Sequence, residues 1–345
     1  MLVLKEILTF RRGGGDYVSM ICAYIYNTMQ SLVVVTHVAV PTFFFISGYL
    51  FFAKVEQWSA QIYLNKIKKR GKSLLIPYLL WVTIYIVVSC VLLAMSEPDF
   101  SLSHFLSENG GARLYYDCCT WHDCMTPQSG PFLMPLWFVR DLMLVCLFSP
   151  IIYYSIHYMN HIYLLIITFL FLFVLWPDIH GFGLSAWFFF SWGAYWSIHK
   201  RNFVSDFKRV RIYSYLLVVF LLLLELHPFC ISSGMSKRIF PLYIIIAVVS
   251  VVNLASQWLE LQGMYMAKIL SQSSFFIFCA HHVCLIGLSI KIVSLLLGDV
   301  ENECFAQLLM LILSPLLVVL FCLFAFIILK RYFPRVLNIL VGNRF

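Results

Sequence analysis

Residues 37–52 read His-Val-Ala-Val-Pro-Thr-Phe-Phe-Phe-Ile-Ser-Gly-Tyr-Leu-Phe-Phe, and Lys54, Lys66, Lys68, Lys69, Arg70 and Lys72 follow within twenty positions. An apolar run beside a basic cluster is the pattern of a membrane segment with a fixed orientation. Pro41, Ser47 and Gly48 interrupt the run. A plain anchor needs none of these interruptions, so the stretch reads as more than an anchor.

The rest of the chain agrees with a membrane. Of its 345 residues 62% are hydrophobic and 12% charged, against about 45–50% and about 25% in soluble domains. At about 20 residues per crossing there is room for many spans and little else. Lipid leaves unpaired backbone groups unsatisfied, so the spans are helices. The expectation is an all-α, polytopic integral membrane bundle forming one domain over residues 31–330. Residues 1–30 are an irregular or remnant segment in this reading, and 331–345 a cytoplasmic tail.

Nine apolar segments stand out, near 31–53, 74–95, 132–154, 162–176, 183–198, 212–226, 239–256, 275–296 and 305–329. Several are short enough to need a thinned bilayer or a place inside the bundle. Nine alternating helices put loops 54–73, 199–211 and 257–272 and the C-terminus on one face, with sixteen Lys and Arg. The opposite loops carry Arg113, Lys237 and Arg238. The basic face is therefore expected to be cytoplasmic. The net charge of +8 is accounted for by topology and not by nucleic acid. This count leaves the N-terminus outside. A tenth, preceding helix would bring it back, but residues 17–36 contain Asn27, Thr28 and Gln30 and do not supply one, nor do residues 1–20 read as a cleavable signal. Among the external-loop cysteines, Cys118 or Cys119 could pair with Cys124 in an oxidising compartment, or all could stay free thiols.

Four stretches carry a resemblance. They are Val40-Pro41 through Leu50 with Lys69-Arg70-Gly71-Lys72-Ser73-Leu74-Leu75-Ile76-Pro77-Tyr78; Pro135-Leu136-Trp137-Phe138-Val139-Arg140-Asp141-Leu142; Phe188-Phe189-Phe190-Ser191-Trp192-Gly193-Ala194-Tyr195; and Ser274-Phe275-Phe276-Ile277-Phe278 through Ala280-His281-His282. In this order and spacing the chain resembles the membrane acyltransferase-3 family. The resemblance implies an enzyme of the bacterial inner membrane, with membrane lipid around it. It would move an acetyl or other acyl group from acyl-CoA, typically acetyl-CoA, to a hydroxyl of a cell-surface glycan, glycolipid or lipid-linked saccharide. No metal is implied. The rival is a carrier for a glycan or lipid-linked sugar that uses the same polar cavity without chemistry; an inactive remnant is the third option.

Candidate site residues follow. The run 66–72 is either topogenic, touching anionic lipid, or a phosphate site in which Arg70, helped by Lys69 and Lys72, holds acyl-CoA. Arg suits that task because its planar fork pairs phosphate bidentately. Arg140 falls about 12 Å into its helix at 1.5 Å per residue. A charge there costs at least about 2.5–3.5 kcal/mol unless it meets a partner or water. It is either a structural ion-pair member or the group that steadies negative charge on the thioester carbonyl. Asp141 points about 100° away around the helix, so the two are not expected to pair automatically. His281 and His282 lie about 10 Å into their helix and point in different directions. His281 is the candidate base, taking a proton from the acceptor hydroxyl at neutral pH.

The resemblance also fails at one point. The family's histidine is expected on a first membrane helix, about ten residues after an arginine, and here only Arg11 and Arg12 precede His37, which begins the next helix. Either the chain is a shortened version of a ten-helix enzyme or its base comes from elsewhere, His281 being the candidate.

Overall fold

The computed structural model describes residues 33–343, except 54, 109, 123–126, 178, 180, 226–235, 263 and 298–302. The interrupted stretch forms helix α1, Ala39–Phe52. Pro41 falls in its first turn, where backbone N–H groups have no helical partner, so its missing N–H costs nothing. α2, Ala60–Arg70, is capped by Ser59, whose hydroxyl accepts from the Ile62 N–H at 3.3 Å. It runs through a π-helical turn, Gly71–Leu75, into α3, Ile76–Ser96. Pro77 cannot donate to the turn before it, which is a physical cause for the widening there.

After α3 come α4 (Leu102–Glu108), a 3-10 turn (Gly111–Tyr115) and a two-stranded antiparallel ribbon, Cys119–His122 against Pro127–Gly130. This ribbon is a small departure from the all-α expectation. The proposed pairing to Cys124 falls outside the described residues. The remaining helices are α5 (Trp137–Leu147), α6 (Ser149–Met159), α7 (His161–Leu172), α8 (Leu184–Ile198), α9 (Phe203–Arg209) and α10 (Arg211–Glu225), followed by α11 (Ser236–Gln262), α12 (Met264–Ala280), a π-turn (His281–Leu285), α13 (Ile286–Leu297), α14 (Glu303–Tyr332) and α15 (Pro334–Leu340).

All nine apolar segments form helix over most of their described residues, but they are not nine equivalent crossings. Among the described residues four helices are long and apolar enough on their own: Val34–Phe52, Ala60–Ser96, Arg238–Glu260 and Leu309–Tyr332. Two more spans result if each bent pair counts as one, α5 with α6 at 58° and α12 with α13 at 71°. The expected continuous helices 132–154 and 275–296 are thus both broken. Pro150 explains the first break, because it removes a donor and clashes with the preceding turn. α7, α8 and α10 hold 12, 15 and 15 residues, short of the roughly 20 a crossing needs.

α8 shows how a short helix is accommodated. Leu184, Ser185, Ala186, Phe188, Phe189, Phe190, Ser191, Gly193 and Ala194 are all buried, so it sits inside the bundle. Its main partner is α1, and the two backbones touch. A Cβ on Gly48 would overlap the Phe190 carbonyl oxygen, and one on Gly193 would overlap that of Phe45. Small residues permit such approach where lipid offers helices no hydrophobic drive to associate. Around the contact Phe45 meets Trp192, Trp196, Phe203 and Phe207 with ring centroids 5.2–6.0 Å apart. Large apolar side chains such as Val87, Val91 and Met95 on α3 stay exposed, which suits a surface facing lipid.

Gly48→Val and Gly193→Val should each lower the unfolding temperature of the detergent-purified protein, by the roughly 1–3 kcal/mol of overpacking or more. Gly287→Ala is the control, since nothing lies within 4 Å of the added Cβ. Equal melting of all three would show that the α1–α8 contact is not close.

Candidate functional site

Arg140 and Asp141 are the fourth and fifth residues of α5 and are 3% and 1% exposed. They do pair, against the sequence expectation. Arg140 Nε and Nη2 donate to Asp141 Oδ1 at 3.0 and 2.9 Å. Neighbouring helix positions diverge, but the arginine side chain is long enough to curl back across that angle. Two outside anchors hold the arrangement. Arg140 Nη1 donates to the Tyr116 carbonyl at 2.6 Å, with the guanidinium 5.1 Å from the Tyr116 ring centre. Asp141 Oδ2 accepts from the Gly183 N–H at 3.3 Å, just before α8. Gly181 makes this approach feasible. Its φ is +86°, and an added Cβ would stand 2.6 Å from Leu144 and 2.7 Å from the Tyr116 hydroxyl.

Beside this pair lies a cavity of about 400 Å³ between α2–α3 and α5, closed by Tyr115 and Tyr116. One wall is the stripe Ile67, Arg70, Gly71, Leu75, Tyr78 and Leu79; the other is Arg140, Met143, Leu144, Cys146 and Leu147. These spacings of three, four and seven residues are those of helix faces. The two stripes run in opposite chain directions, for Tyr63 at the α2 end donates its hydroxyl to the Leu147 carbonyl at 2.8 Å. Along stripes running in opposite directions, Arg70 stands at the end of Cys146 and Leu147, and Arg140 at the end of Tyr78 and Leu79. The two arginines therefore mark opposite ends of one mostly apolar trough. Tyr78 also donates to the Tyr115 carbonyl, and the Tyr115 hydroxyl lies 2.9 Å from Thr83 Oγ1.

Of the three basic candidates only Arg70 lines the trough; Lys69 and Lys72 are exposed. Arg70 lies with its guanidinium 6.0 Å from the Phe51 ring centre, and Lys66 donates to the Phe51 carbonyl. His281 is not a lining residue of this cavity. Its Nδ1 is 2.6 Å from the Phe278 carbonyl, so Nδ1 carries a proton and Nε2 is the nitrogen that holds the lone pair when the ring is neutral. Phe278 in turn packs on Phe138, 4.6 Å between ring centres, one turn before Arg140's neighbours on α5. His282 turns toward Tyr85 at 5.7 Å. The tyrosines at 115 and 116 escaped sequence reasoning because they sit in a polar loop with no helical spacing. Met143, Leu144 and Leu147 had a signal, their register with Arg140.

This is a mostly apolar trough with an arginine at each end, one of them paired with a buried aspartate. A family model described as an acyltransferase domain matches residues 16–330, and the chain belongs to that membrane acyltransferase-3 family. Comparison with curated proteins and with solved structures returns no match. The expected absence of the first-helix arginine and histidine concerns residues outside those described; His37 lies just before α1, its ring edge-on to Phe240 at 5.6 Å.

Removing Asp141 strands the Arg140 charge. Asp141→Ala should cost about 3–5 kcal/mol of stability, as for a broken buried pair. The double variant Arg140→Met/Asp141→Leu should recover most of it, read by thermal unfolding in detergent. A double variant no more stable than Asp141→Ala would show that the pair is not the anchor described.

Proposed function

We propose that the protein transfers an acyl group, acetyl in the simplest case, from acyl-CoA to a hydroxyl of a cell-surface glycan, glycolipid or lipid-linked saccharide. The observation carrying this reading is the single trough that Arg70 and Arg140 share. The phosphates of the donor would rest on Arg70 at the cytoplasmic end, where a planar fork offers paired bonds. The pantetheine arm would thread past Leu75, Leu79, Met143 and Leu144. The thioester would then reach Arg140, whose charge is oriented by Asp141 and needs no rearrangement as the carbonyl oxygen becomes negative.

In the reaction, the acceptor oxygen forms a C–O bond to the carbonyl carbon as its proton moves to a base. The tetrahedral intermediate collapses by breaking the C–S bond, and CoA leaves as a thiolate that takes up a proton. His281 is the base in this reading, supported by the Phe278 carbonyl, which holds the Nδ1 proton and makes Nε2 the basic nitrogen. The acceptor would approach from the side of α12, across the Phe138–Phe278 pair from the donor. The basic face, with Arg70, is assigned to the cytoplasm of an inner-membrane protein, on the strength of its excess of Lys and Arg.

Arg70→Ala should weaken acetyl-CoA affinity by roughly 10-fold or more, from the 1.5–3 kcal/mol of a charged hydrogen bond. Lys69→Ala should change it no more than about threefold, as expected for an exposed, screened charge. Equal losses would make the cluster merely topogenic. In transfer assays His281→Ala should abolish turnover and His282→Ala should not; an active His281→Ala variant removes it as the base. Donor binding without any transfer would favour a carrier. A cysteine at Lys69 should react with an impermeant maleimide only after the cells are permeabilised, and labelling of intact cells would invert the topology.

A further inference from the structure

The last residues do not behave as a loose tail. α14 ends at Tyr332, and Pro334 starts α15, on which Leu337 and Leu340 are buried, as is Val341 just after it. The spacing of three and then one places these on one side of a short helix. Gly342 and Asn343 then turn the chain with φ of +74° and +56°, and the turn closes on itself. Asn343 N–H donates to the Asn338 carbonyl at 2.8 Å and Asn338 Nδ2 to Asn343 Oδ1 at 3.0 Å.

What this segment touches gives it a role. Trp81 on α3 donates its indole N–H to the Leu340 carbonyl at 3.1 Å. Its ring also meets Phe276 of α12 edge-on at 5.4 Å. Gly342 lies so close to the π-turn that a Cβ there would overlap the Ser73 carbonyl oxygen. That π-turn, Gly71–Leu75, is the wall of the trough directly after Arg70. A π-turn is a rare departure from the regular helix ladder, and Pro77 takes away one more donor. A turn of this kind keeps one shape only when its surroundings hold it. Here the cavity is on one side, and the C-terminal segment supplies the other.

We infer that residues 334–343 are a positioning element for the donor site: they clamp the π-turn at Ser73 and so fix the direction in which Arg70 faces the trough. This rests on the assignment of Arg70 to the donor phosphates. The segment lies beyond residue 330, where the family match stops, so the clamp is a feature of this chain and not one carried over by the match.

Two variants test it in the full-length, detergent-purified protein. Gly342→Ala must push the backbone off Ser73, because both the positive φ and the missing space exclude a side chain. Trp81→Phe keeps the ring against Phe276 and removes the bond to Leu340. Binding is measured with two probes, acetyl-CoA and S-acetylpantetheine, which lacks the phosphates that Arg70 would hold. Each variant should weaken acetyl-CoA by about 5- to 10-fold and S-acetylpantetheine by less than twofold. Equal weakening of both probes, or of neither, overturns the clamp. Arg70→Ala run alongside separates the two failures. If it leaves the preference for acetyl-CoA over S-acetylpantetheine intact, the donor assignment is wrong and the clamp falls with it. If it erases that preference while the two clamp variants do not, only the clamp is wrong.

Discussion

Two opposite charges near the start of α5, Arg140 and Asp141, set conditions that distant parts of the chain have to meet. Taking a guanidinium and a carboxylate out of water costs several kcal/mol per ion even after relaxation. Their mutual attraction offsets this only when the remaining hydrogen-bonding positions are filled. Arg140 fills one with the Tyr116 carbonyl and Asp141 one with the Gly183 N–H. The loop before the ribbon is therefore drawn down onto α5, and the turn before α8 is bent through Gly181 at positive φ. Three segments far apart in sequence are fixed by one ion pair. The same demand shapes the site, because it fixes how the guanidinium stands at the end of the trough.

The trough depends on this anchor at one end and on the π-turn at the other. Between them the walls are helix stripes with little freedom, Leu75 and Leu79 facing Met143 and Leu144. Function of the proposed kind asks for two different environments within one turn or two of helix: a wet, cationic mouth and a dry interior. The chain supplies both by letting a basic amphipathic helix, α2, pass without a loop into an apolar one, α3. A connecting loop would have left backbone groups to satisfy at the membrane surface. The π-turn changes the helix phase while the chain stays helical, at the cost of the one donor that Pro77 lacks.

Much of this was legible in the sequence, and the exceptions have physical causes. Apolar content located the helical segments because lipid admits few alternatives. The same measure overcounted crossings, since hydropathy does not distinguish a helix facing lipid from α8, which is apolar because protein surrounds it. Pro150 announced the break after α5, whereas nothing in His281–Leu285 announces the second. Arg140 and Asp141 were separated on paper because helical angles describe where Cβ atoms point and not how far a guanidinium reaches. Leu337, Leu340 and Val341 were in plain view as a short apolar side, but among Arg331, Arg335 and Arg344 the tail reads as topogenic.

The glycine contact between α1 and α8 also bears on how the protein is made. Gly48 is synthesised about 145 residues ahead of Gly193, roughly 10–30 s at ordinary translation speeds. During that interval α1 stands in the membrane with the bare backbone face that α8 will later cover. α8, at 15 residues, is too short to hold a place across the bilayer alone. It settles against helices made before it, α1 above all, so the late helix is received by protein and not by lipid. The sequence that looked like an interrupted anchor is, during biogenesis, a docking strip kept open for a partner not yet synthesised.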